Sequence, residues 1–152
     1  MVKELHQRNI FTIVVGGEQE NTLGMFRGLS GMNTYVNLTS IDARFDFGEP
    51  GILVSDDSYM SNIITEKPNN LKQFTNLGYQ SYYISQEELD LMQKLFFDAY
   101  RLGDIAADLH ESEPILRDTD ILSVDLSSVK ASELDDPKGL PNGFDGAQIC
   151  KL

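Results

Sequence analysis

The stretch Tyr35–Asp46, which reads YVNLTSIDARFD, decides the fold that we predict for this chain. Its first seven residues alternate and are rich in β-forming side chains, which predicts a strand over Tyr35–Ile41 leading into Asp42. Side chains two positions apart on a strand point to the same side, so we expect Asp42, Arg44 and Asp46 to share one face. In an open parallel sheet, ligands bind beyond the carboxyl ends of the strands, which makes this face a candidate site.

Strand-like and helix-like segments alternate on both sides of this stretch. Further strands are predicted over Ile10–Val15, Phe74–Tyr79 and Asp120–Leu126. Helices are predicted over Glu20–Leu29, Ser58–Thr65 and Ala147–Leu152, with a loop over Lys130–Gly146. This alternation predicts an α/β fold of three layers, α/β/α, with a mostly parallel sheet. We expect residues 1–152 to form a single domain. Because the chain ends inside a predicted helix, we expect either a fragment of a longer protein or an unusually short version of the domain.

One further helix has a clear start signal. Ser85 and Glu88 have the spacing of a capping box, and apolar residues then keep helical spacing as far as Leu102. Gly103 is a typical stop signal after such a helix. We interpret the apolar stripe as core packing.

The composition excludes several classes of function. Apolar residues make up 41% and charged residues 24%, as in an ordinary globular protein. The net charge of -12 opposes binding to nucleic acid or to an anionic membrane. No apolar run approaches the roughly 20 residues that cross a bilayer, and the start of the chain has no signal peptide. The single cysteine, Cys150, excludes an internal disulfide and a cysteine zinc cluster, which favours a cytoplasmic location.

Polar residues follow three of the predicted strands. The first strand runs into Gly16-Gly17-Glu18-Gln19, the second into Asp42-Ala43-Arg44-Phe45-Asp46, and the last carries Asp125 followed by Ser127. Taken singly, each acid is typical of a surface residue or a helix N-cap. Taken together, carboxylates on adjacent strand ends converge on one crevice, and such a cluster is costly unless a cation neutralises it.

In their order and at their strand ends, these segments resemble the three signatures of the arginase (ureohydrolase) family. Those signatures are Gly-Gly-Asp-His, Asp-Ala-His-x-Asp and Asp-x-Asp-x-x-Asp-Pro. The surrounding sequence, which includes Gly78-Tyr79-Gln80 and Pro141-Asn142-Gly143-Phe144, is most similar to formimidoylglutamase-like members. The resemblance covers nearly the whole chain but corresponds only to the central half of a full family member.

The resemblance implies two manganese ions, which active members hold with two histidines and four aspartates. Here the ligand positions fall on Gln19, Asp42, Arg44, Asp46, Asp125 and Ser127, and a following acid position falls on Lys130. Positions that the resemblance places near a substrate are Glu18, Tyr59, Asn142 and Gln148. The two histidines, His6 and His110, lie outside these motifs, and we expect both to be ordinary surface or helix residues.

Three of the six ligand positions therefore hold residues that suit a divalent metal poorly. Gln19 offers a neutral amide, and the guanidinium of Arg44 stays protonated and repels a cation. We hypothesise that Arg44 takes the place of the metal and bonds Asp42, Asp46 and Asp125. No cofactor is then predicted. If Arg44 instead turns outward, the three aspartates and Glu18 are enough carboxylates for one manganese or magnesium ion.

Three functions remain open at this point. The first is a domain similar to formimidoylglutamase with a degraded metal site, weak or no hydrolase activity and a retained binding role, with a small amidine or guanidino ligand as partner. The second is an active manganese-dependent hydrolase that splits N-formimidoyl-L-glutamate to L-glutamate and formamide. The third is a non-catalytic structural subunit. No Ser-His-Asp or Cys-His set replaces the metal centre, and the resemblance also implies a homo-oligomer.

Overall fold

The computed structural model describes residues 1–32, 34–48, 54–135 and 139–152. The chain divides into two compact units, each built from two segments. Unit 1 comprises Met1–Asn37 and Asp46–Lys72, and unit 2 comprises Leu38–Phe45 and Gln73–Leu152. The boundary after Phe45 therefore falls inside the motif that led to the fold prediction.

A parallel sheet of four strands forms the centre of unit 2. The strands are β1 (Val36–Ile41), β2 (Leu71–Tyr79), β3 (Asp98–Arg101) and β4 (Ile121–Val124). Their order in the sheet is β3-β2-β1-β4, and only the first two residues of β1 and of β2 belong to unit 1. The parallel α/β class is confirmed, as are the strands predicted around β1, β2 and β4.

Unit 1 contains the helices α1 (Val2–Gln7), α2 (Asn21–Ser30) and α3 (Tyr59–Thr65). The helices predicted over Glu20–Leu29 and Ser58–Thr65 are confirmed to within one residue at each end. The strand predicted over Ile10–Val15 is wrong, because these residues have no regular secondary structure and most of their side chains are exposed. A β-forming sequence needs a partner strand, and the described residues provide none for this segment.

The remaining helices belong to unit 2. They are α4 (Gln86–Lys94), α5 (Leu102–Ala107), α6 (Ser112–Arg117) and α7 (Gly146–Ile149), with three short 3₁₀ helices at Leu109–Glu111, Leu126–Ser128 and Ala131–Glu133. One hydrophobic core cluster of unit 2 joins the sheet residues Ile41 and Leu77 to Leu102 and Ile105 of α5 and to Phe144. Burial of such apolar side chains is the main term that holds the unit together.

The predicted long helix after Ser85 is only half correct. The capping box is confirmed, since Glu88 N–H donates to Ser85 Oγ at 3.2 Å and Ser85 N–H donates to Glu88 Oε2 at 2.8 Å. The helix ends at Lys94, however, and Phe96 adopts a φ of 58°. The chain then forms β3, so Gly103 lies inside α5 and is not a stop signal. Pairing with β2 outweighs the helical spacing of the sequence.

The region after β4 is less regular than the sheet. The predicted loop over Lys130–Gly146 contains a 3₁₀ helix, and Phe144 forms a parallel bridge with Val129, while residues 136–138 lie outside the described part. The terminal helix runs from Gly146 to Ile149, so it begins one residue before the predicted Ala147–Leu152 and ends three residues earlier. None of the described helices is long and apolar enough to cross a membrane.

Candidate functional site

The carboxyl ends of β1 and β4 bring two of the predicted carboxylates together in unit 2. Asp42 N–H donates to Leu77 O at 3.1 Å, and Asp125 N–H donates to Ile41 O at 3.0 Å, so both aspartates continue the hydrogen-bond ladder of the sheet. Asp42 is 2% exposed, and Asp125 is half-buried. We call Asp42, Asp125 and the neighbouring Arg44 and Ser127 the strand-end site.

Ser127 connects the two carboxylates of the strand-end site. Its backbone N–H donates to Asp125 Oδ1 at 2.5 Å, and its hydroxyl donates to Asp42 Oδ1 at 3.3 Å. The first bond makes Asp125 the N-cap of the 3₁₀ helix Leu126–Ser128. The reading of this acid as a helix cap is therefore correct, and one serine supplies a neutral donor to each carboxylate.

The backbone leaves the extended conformation directly after β1. Arg44 N–H turns back and donates to Asp42 Oδ1 at 2.9 Å, and Asp46 has a φ of 53°. The alternation of a strand therefore does not continue through this segment. The prediction that these three residues share one face is wrong, since Asp42 is buried and Arg44 is exposed.

The guanidinium of Arg44 lies against an aromatic ring. Its Cζ atom is 4.9 Å from the ring centroid of Tyr83, a cation–π distance. This orientation contradicts the hypothesis that Arg44 fills the place of a metal ion among the aspartates. An exposed guanidinium keeps most of its hydration, which burial among carboxylates would remove.

A polar network behind Arg44 fixes the backbone of the strand-end site. Asn76, which is fully buried, donates from Nδ2 to Arg44 O at 2.7 Å. Gln80 donates its backbone N–H to Ala43 O and its Nε2 to Asn142 O, each at 3.0 Å. Tyr82 in turn donates its hydroxyl to Gln80 Oε1. Asn142, predicted near a substrate, is thus an exposed residue whose carbonyl is held by Gln80.

The positions of Gln80, Tyr82 and Tyr83 were missed as site residues from the sequence alone. They follow β2 directly, at the same end of the sheet as Asp42 and Asp125. The run Tyr79–Tyr83 after a predicted strand was the available signal, because polar and aromatic residues at a strand end face the ligand crevice of parallel sheets.

Two glycines allow close approach beneath the strand-end site. Gly78 has a φ of 103°, and a Cβ on it would meet Phe144 Cε2 at 2.7 Å. A Cβ on Gly143 would meet Ser128 O at 2.6 Å. Both positions therefore exclude any side chain, and they keep the segment around Phe144 pressed onto β2 and onto the residues after β4.

The remaining predicted residues of unit 2 have structural partners. Gln148 forms a capping box with Asp145, in which Gln148 N–H donates to Asp145 Oδ1 at 2.8 Å and Asp145 N–H donates to Gln148 Oε1 at 2.9 Å. Lys130 Nζ lies 3.9 Å from Asp145 Oδ2. Gln148, which was predicted near a substrate, therefore caps the start of α7.

The other predicted residues belong to unit 1. Glu18 is exposed, and Gln19 is half-buried in the turn that precedes α2, where its carbonyl accepts from Thr22 N–H at 2.9 Å. Asp46 is 8% exposed. Tyr59, which was predicted near a substrate, begins α3 and is fully buried.

The donor set of the strand-end site does not fit a divalent metal. Among the described residues, no three histidine, cysteine or acidic side chains come together as metal ligands. Arg44 does turn outward, but the described carboxylates do not form the metal site that was predicted for that case. His6 and His110 are both exposed, in α1 and in the 3₁₀ helix Leu109–Glu111, and lie outside the strand-end site.

Comparison with solved structures identifies the fold. A formiminoglutamase from Trypanosoma cruzi with Mn²⁺ superimposes with a TM-score of 0.84 at 15% identity, covering 99% of this chain and 54% of that one. A formimidoylglutamase from Bacillus subtilis has a TM-score of 0.78 at 16% identity, covering 97% and 50%. A quadruple mutant of an arginase-like protein from T. brucei has a TM-score of 0.72 at 16% identity, covering 99% and 48%.

The chain therefore has an arginase-like fold. The structures that resemble this chain include formimidoylglutamases, and the chain spans about half the length of the solved structures it matches. No family model and no curated protein matches the sequence.

Proposed function

We propose that this chain is an arginase-type domain that does not hydrolyse its ligand and uses the strand-end site for binding. One observation carries the proposal: Ser127 donates a hydrogen bond to each of the carboxylates of Asp42 and Asp125. Carboxylates at neighbouring strand ends repel one another unless donors or a cation compensate. In this chain, Ser127 and the backbone N–H of Arg44 supply neutral donors to these carboxylates. One of the similar solved structures, a formiminoglutamase, contains Mn²⁺.

The arginine at the centre of the motif supports the same conclusion. Its fixed positive charge next to Asp42 lowers the affinity of the site for any further cation by direct repulsion. The T. brucei quadruple mutant is informative on this point. Three of its substitutions lie two residues apart. The middle one replaces an arginine by histidine, and the two on either side each replace a serine by aspartate. An arginine with this spacing thus occurs in another arginase-like protein.

A small guanidino or amidino compound is the ligand class that we propose. Such a group is a planar cation that can donate two parallel hydrogen bonds to one carboxylate. Asp125 is a half-buried carboxylate at the end of β4, and the paired rings of Tyr82 and Tyr83 follow β2 at the same end of the sheet. Hydrolysis of the ligand would require an activated water, and the described residues contain no metal-ligand cluster that generates one.

The experiment compares binding with turnover. Thermal unfolding is measured with manganese, with a chelator, and with arginine or N-formimidoyl-L-glutamate, and release of urea or formamide is measured in parallel. We expect the melting temperature to be unchanged by manganese and by chelator, to rise with a guanidino or formimino compound, and no product to form. A rise with micromolar manganese accompanied by product release would show that the chain is a metal-dependent hydrolase. Absence of any shift with the organic compounds would reject the ligand class.

A further inference from the structure

The guanidinium of Arg44 carries a charge that no acidic side chain of the described residues pairs. The ion pairs within the described part of the chain involve other cations, and the side chain of Arg44 contacts the ring of Tyr83 instead. An arginine side chain has several N–H donors in a planar fork that matches a carboxylate. Arg44 is exposed, so these donors are accessible to an acid that comes from solution.

A closed series of contacts fixes the position of this guanidinium. Arg44 lies on the ring of Tyr83, and the ring centroids of Tyr83 and Tyr82 are 4.5 Å apart. The hydroxyl of Tyr82 donates to Gln80 Oε1. The backbone N–H of Gln80 donates at 3.0 Å to the carbonyl of Ala43, the residue before Arg44. A group that is held in place before binding loses little conformational freedom when a ligand arrives, which favours binding.

A charge of the opposite sign lies at the end of the neighbouring strand. Arg44 follows β1 and Asp125 follows β4, and these two strands pair directly. The backbone N–H of Arg44 and the hydroxyl of Ser127 donate to the same oxygen, Asp42 Oδ1, at 2.9 Å and 3.3 Å. Ser127 also donates its backbone N–H to Asp125. The strand-end site therefore combines one exposed cation with one half-buried carboxylate.

Building on the proposed function, we infer that the guanidino or amidino ligand of the strand-end site also carries a carboxylate, which the guanidinium of Arg44 binds. Asp125 then binds the cationic end of the ligand, and Arg44 binds its acidic end. Bidentate hydrogen bonds between a guanidinium and a carboxylate are roughly twice as strong as neutral ones. Arg44 thereby determines specificity, because it repels a ligand that has only a cationic group and attracts one that has both groups.

The net charge of the chain makes a preference for the acid informative. At a net charge of -12, the chain as a whole attracts cations and repels anions. A guanidino acid has no net charge, whereas its primary amide is a cation and is favoured by the overall field. Tighter binding of the acid therefore requires a local positive charge at the site.

Isothermal titration calorimetry on the whole chain tests the inference. The probes are guanidinoacetate, 3-guanidinopropanoate and 4-guanidinobutanoate, each measured beside its primary amide. The three acids differ in the separation of their charges, so the series samples different spacings between the two ends of the site. We expect the best acid to bind at least about tenfold more tightly than its amide. Arg44→Gln should abolish this preference, and Arg44→Lys, which keeps the charge without the planar fork, should retain only part of it.

Two further variants separate the effect of the charge from the effect of its position. Arg8→Gln is the matched control, because it removes an exposed arginine of unit 1 and changes the net charge by the same amount. The preference for the acid should remain in this variant. Tyr83→Leu keeps Arg44 but removes the ring on which its guanidinium lies, so the preference should fall towards that of the lysine variant.

The possible results distinguish this inference from the proposed function. Equal affinities of every acid and its amide in the parent chain would overturn the inference and leave the proposed function intact. A preference for the acid that persists in Arg44→Gln would have the same meaning. If neither the acids nor the amides bind, the proposed function fails and the inference fails with it.

Discussion

The hydroxyl of Ser127 donates to Asp42 Oδ1 at 3.3 Å, although the two residues lie 85 positions apart in the sequence. The bond crosses from the end of β4 to the end of β1, and the backbone N–H of the same serine holds Asp125. One short side chain thus links two strand ends without a charge of its own.

Replacing the hydroxyl of Ser127 should destabilise the fold modestly. Ser127→Ala removes the donor to Asp42 but keeps the backbone bond to Asp125, and we expect a loss of about 1 kcal/mol in the free energy of unfolding. Urea denaturation followed by circular dichroism measures it. Ser127→Thr keeps a hydroxyl and is the matched control. Equal losses for the alanine and threonine variants would mean that the hydroxyl bond contributes nothing.

Converting the strand-end site towards the ligands of the family signatures should create metal dependence. Arg44→His combined with Ser127→Asp removes a cation and adds an imidazole and a carboxylate, so we expect a lower melting temperature without metal and a rise with manganese. Binding at a hundredfold excess over the dissociation constant stabilises a fold by about 2.7 kcal/mol.

Scanning fluorimetry with a manganese titration measures this effect. Arg44→Gln combined with Ser127→Asn is the control, because it removes the same groups without supplying metal ligands. A double variant that manganese leaves unchanged would show that the strand ends cannot be returned to metal binding by these two positions.

The contact between Arg44 and Tyr83 should appear as a coupling energy. In a double-mutant cycle with Arg44→Ala and Tyr83→Leu, we expect about 0.5–1 kcal/mol of interaction, as for exposed cation–π pairs. A parallel cycle of Arg44→Ala with Asp42→Asn provides the comparison. Stronger coupling in the second cycle would show that Arg44 interacts mainly with the carboxylate of Asp42 and not with the ring of Tyr83.

Adding a single methyl group at Gly78 should be costly. Its φ of 103° is strained for alanine, and the Cβ would lie 2.7 Å from Phe144 Cε2. We expect Gly78→Ala to lower the free energy of unfolding by about 1–3 kcal/mol. Gly103→Ala is the matched control, since a Cβ there meets nothing within 4 Å and the residue lies in α5, where alanine is the better helix former by about 0.5–1 kcal/mol. Opposite signs for the two changes, measured by urea denaturation, are the expected outcome.

The alkaline stability of unit 2 should depend on Tyr100. Burial raises the pKa of Tyr100, and the nearby charges of Asp98 and Glu111 raise it further. The folded state keeps this proton to higher pH than the unfolded chain does. The resulting stability is complete below the unfolded pKa, which is about 10, and is lost as the pH rises through the folded value.

Tyr100→Phe removes this titration and should therefore reduce the fall in unfolding free energy between about pH 9 and about pH 11. Tyr35→Phe, at an exposed phenol, is the control. An unchanged pH profile in the Tyr100 variant would exclude this residue as a source of alkaline instability.

Local sequence signals predicted those parts of the fold in which the tertiary structure keeps the conformation that the local sequence favours. The capping box at Ser85 and the alternating stretch before Asp42 each specify a local conformation that the tertiary structure keeps. β3 could not be predicted in the same way. Its residues continue a helical spacing, and only pairing with β2 together with the left-handed conformation of Phe96 makes them extended.

The convergence of two carboxylates could be predicted from the sequence, whereas their contacts could not. Asp42 and Asp125 lie on adjacent strand ends as expected from the parallel sheet. The orientation of Arg44 depended on a turn at Asp42 and on the ring of Tyr83, and neither is encoded in the spacing of the motif. The linking role of Ser127 required knowledge of which strands are neighbours. A ligand signature thus predicts where side chains converge, while the direction of each one is set by the surrounding packing.

The ring pair beside the strand-end site has a spectroscopic consequence. Tyr82 and Tyr83 lie with their centroids 4.5 Å apart, and the chain contains six tyrosines and no tryptophan. Tyrosine emission is therefore not obscured by energy transfer to an indole. A ligand that displaces the guanidinium of Arg44 from the ring of Tyr83 would change the intrinsic fluorescence of the native chain, which makes occupancy of the crevice readable without a label.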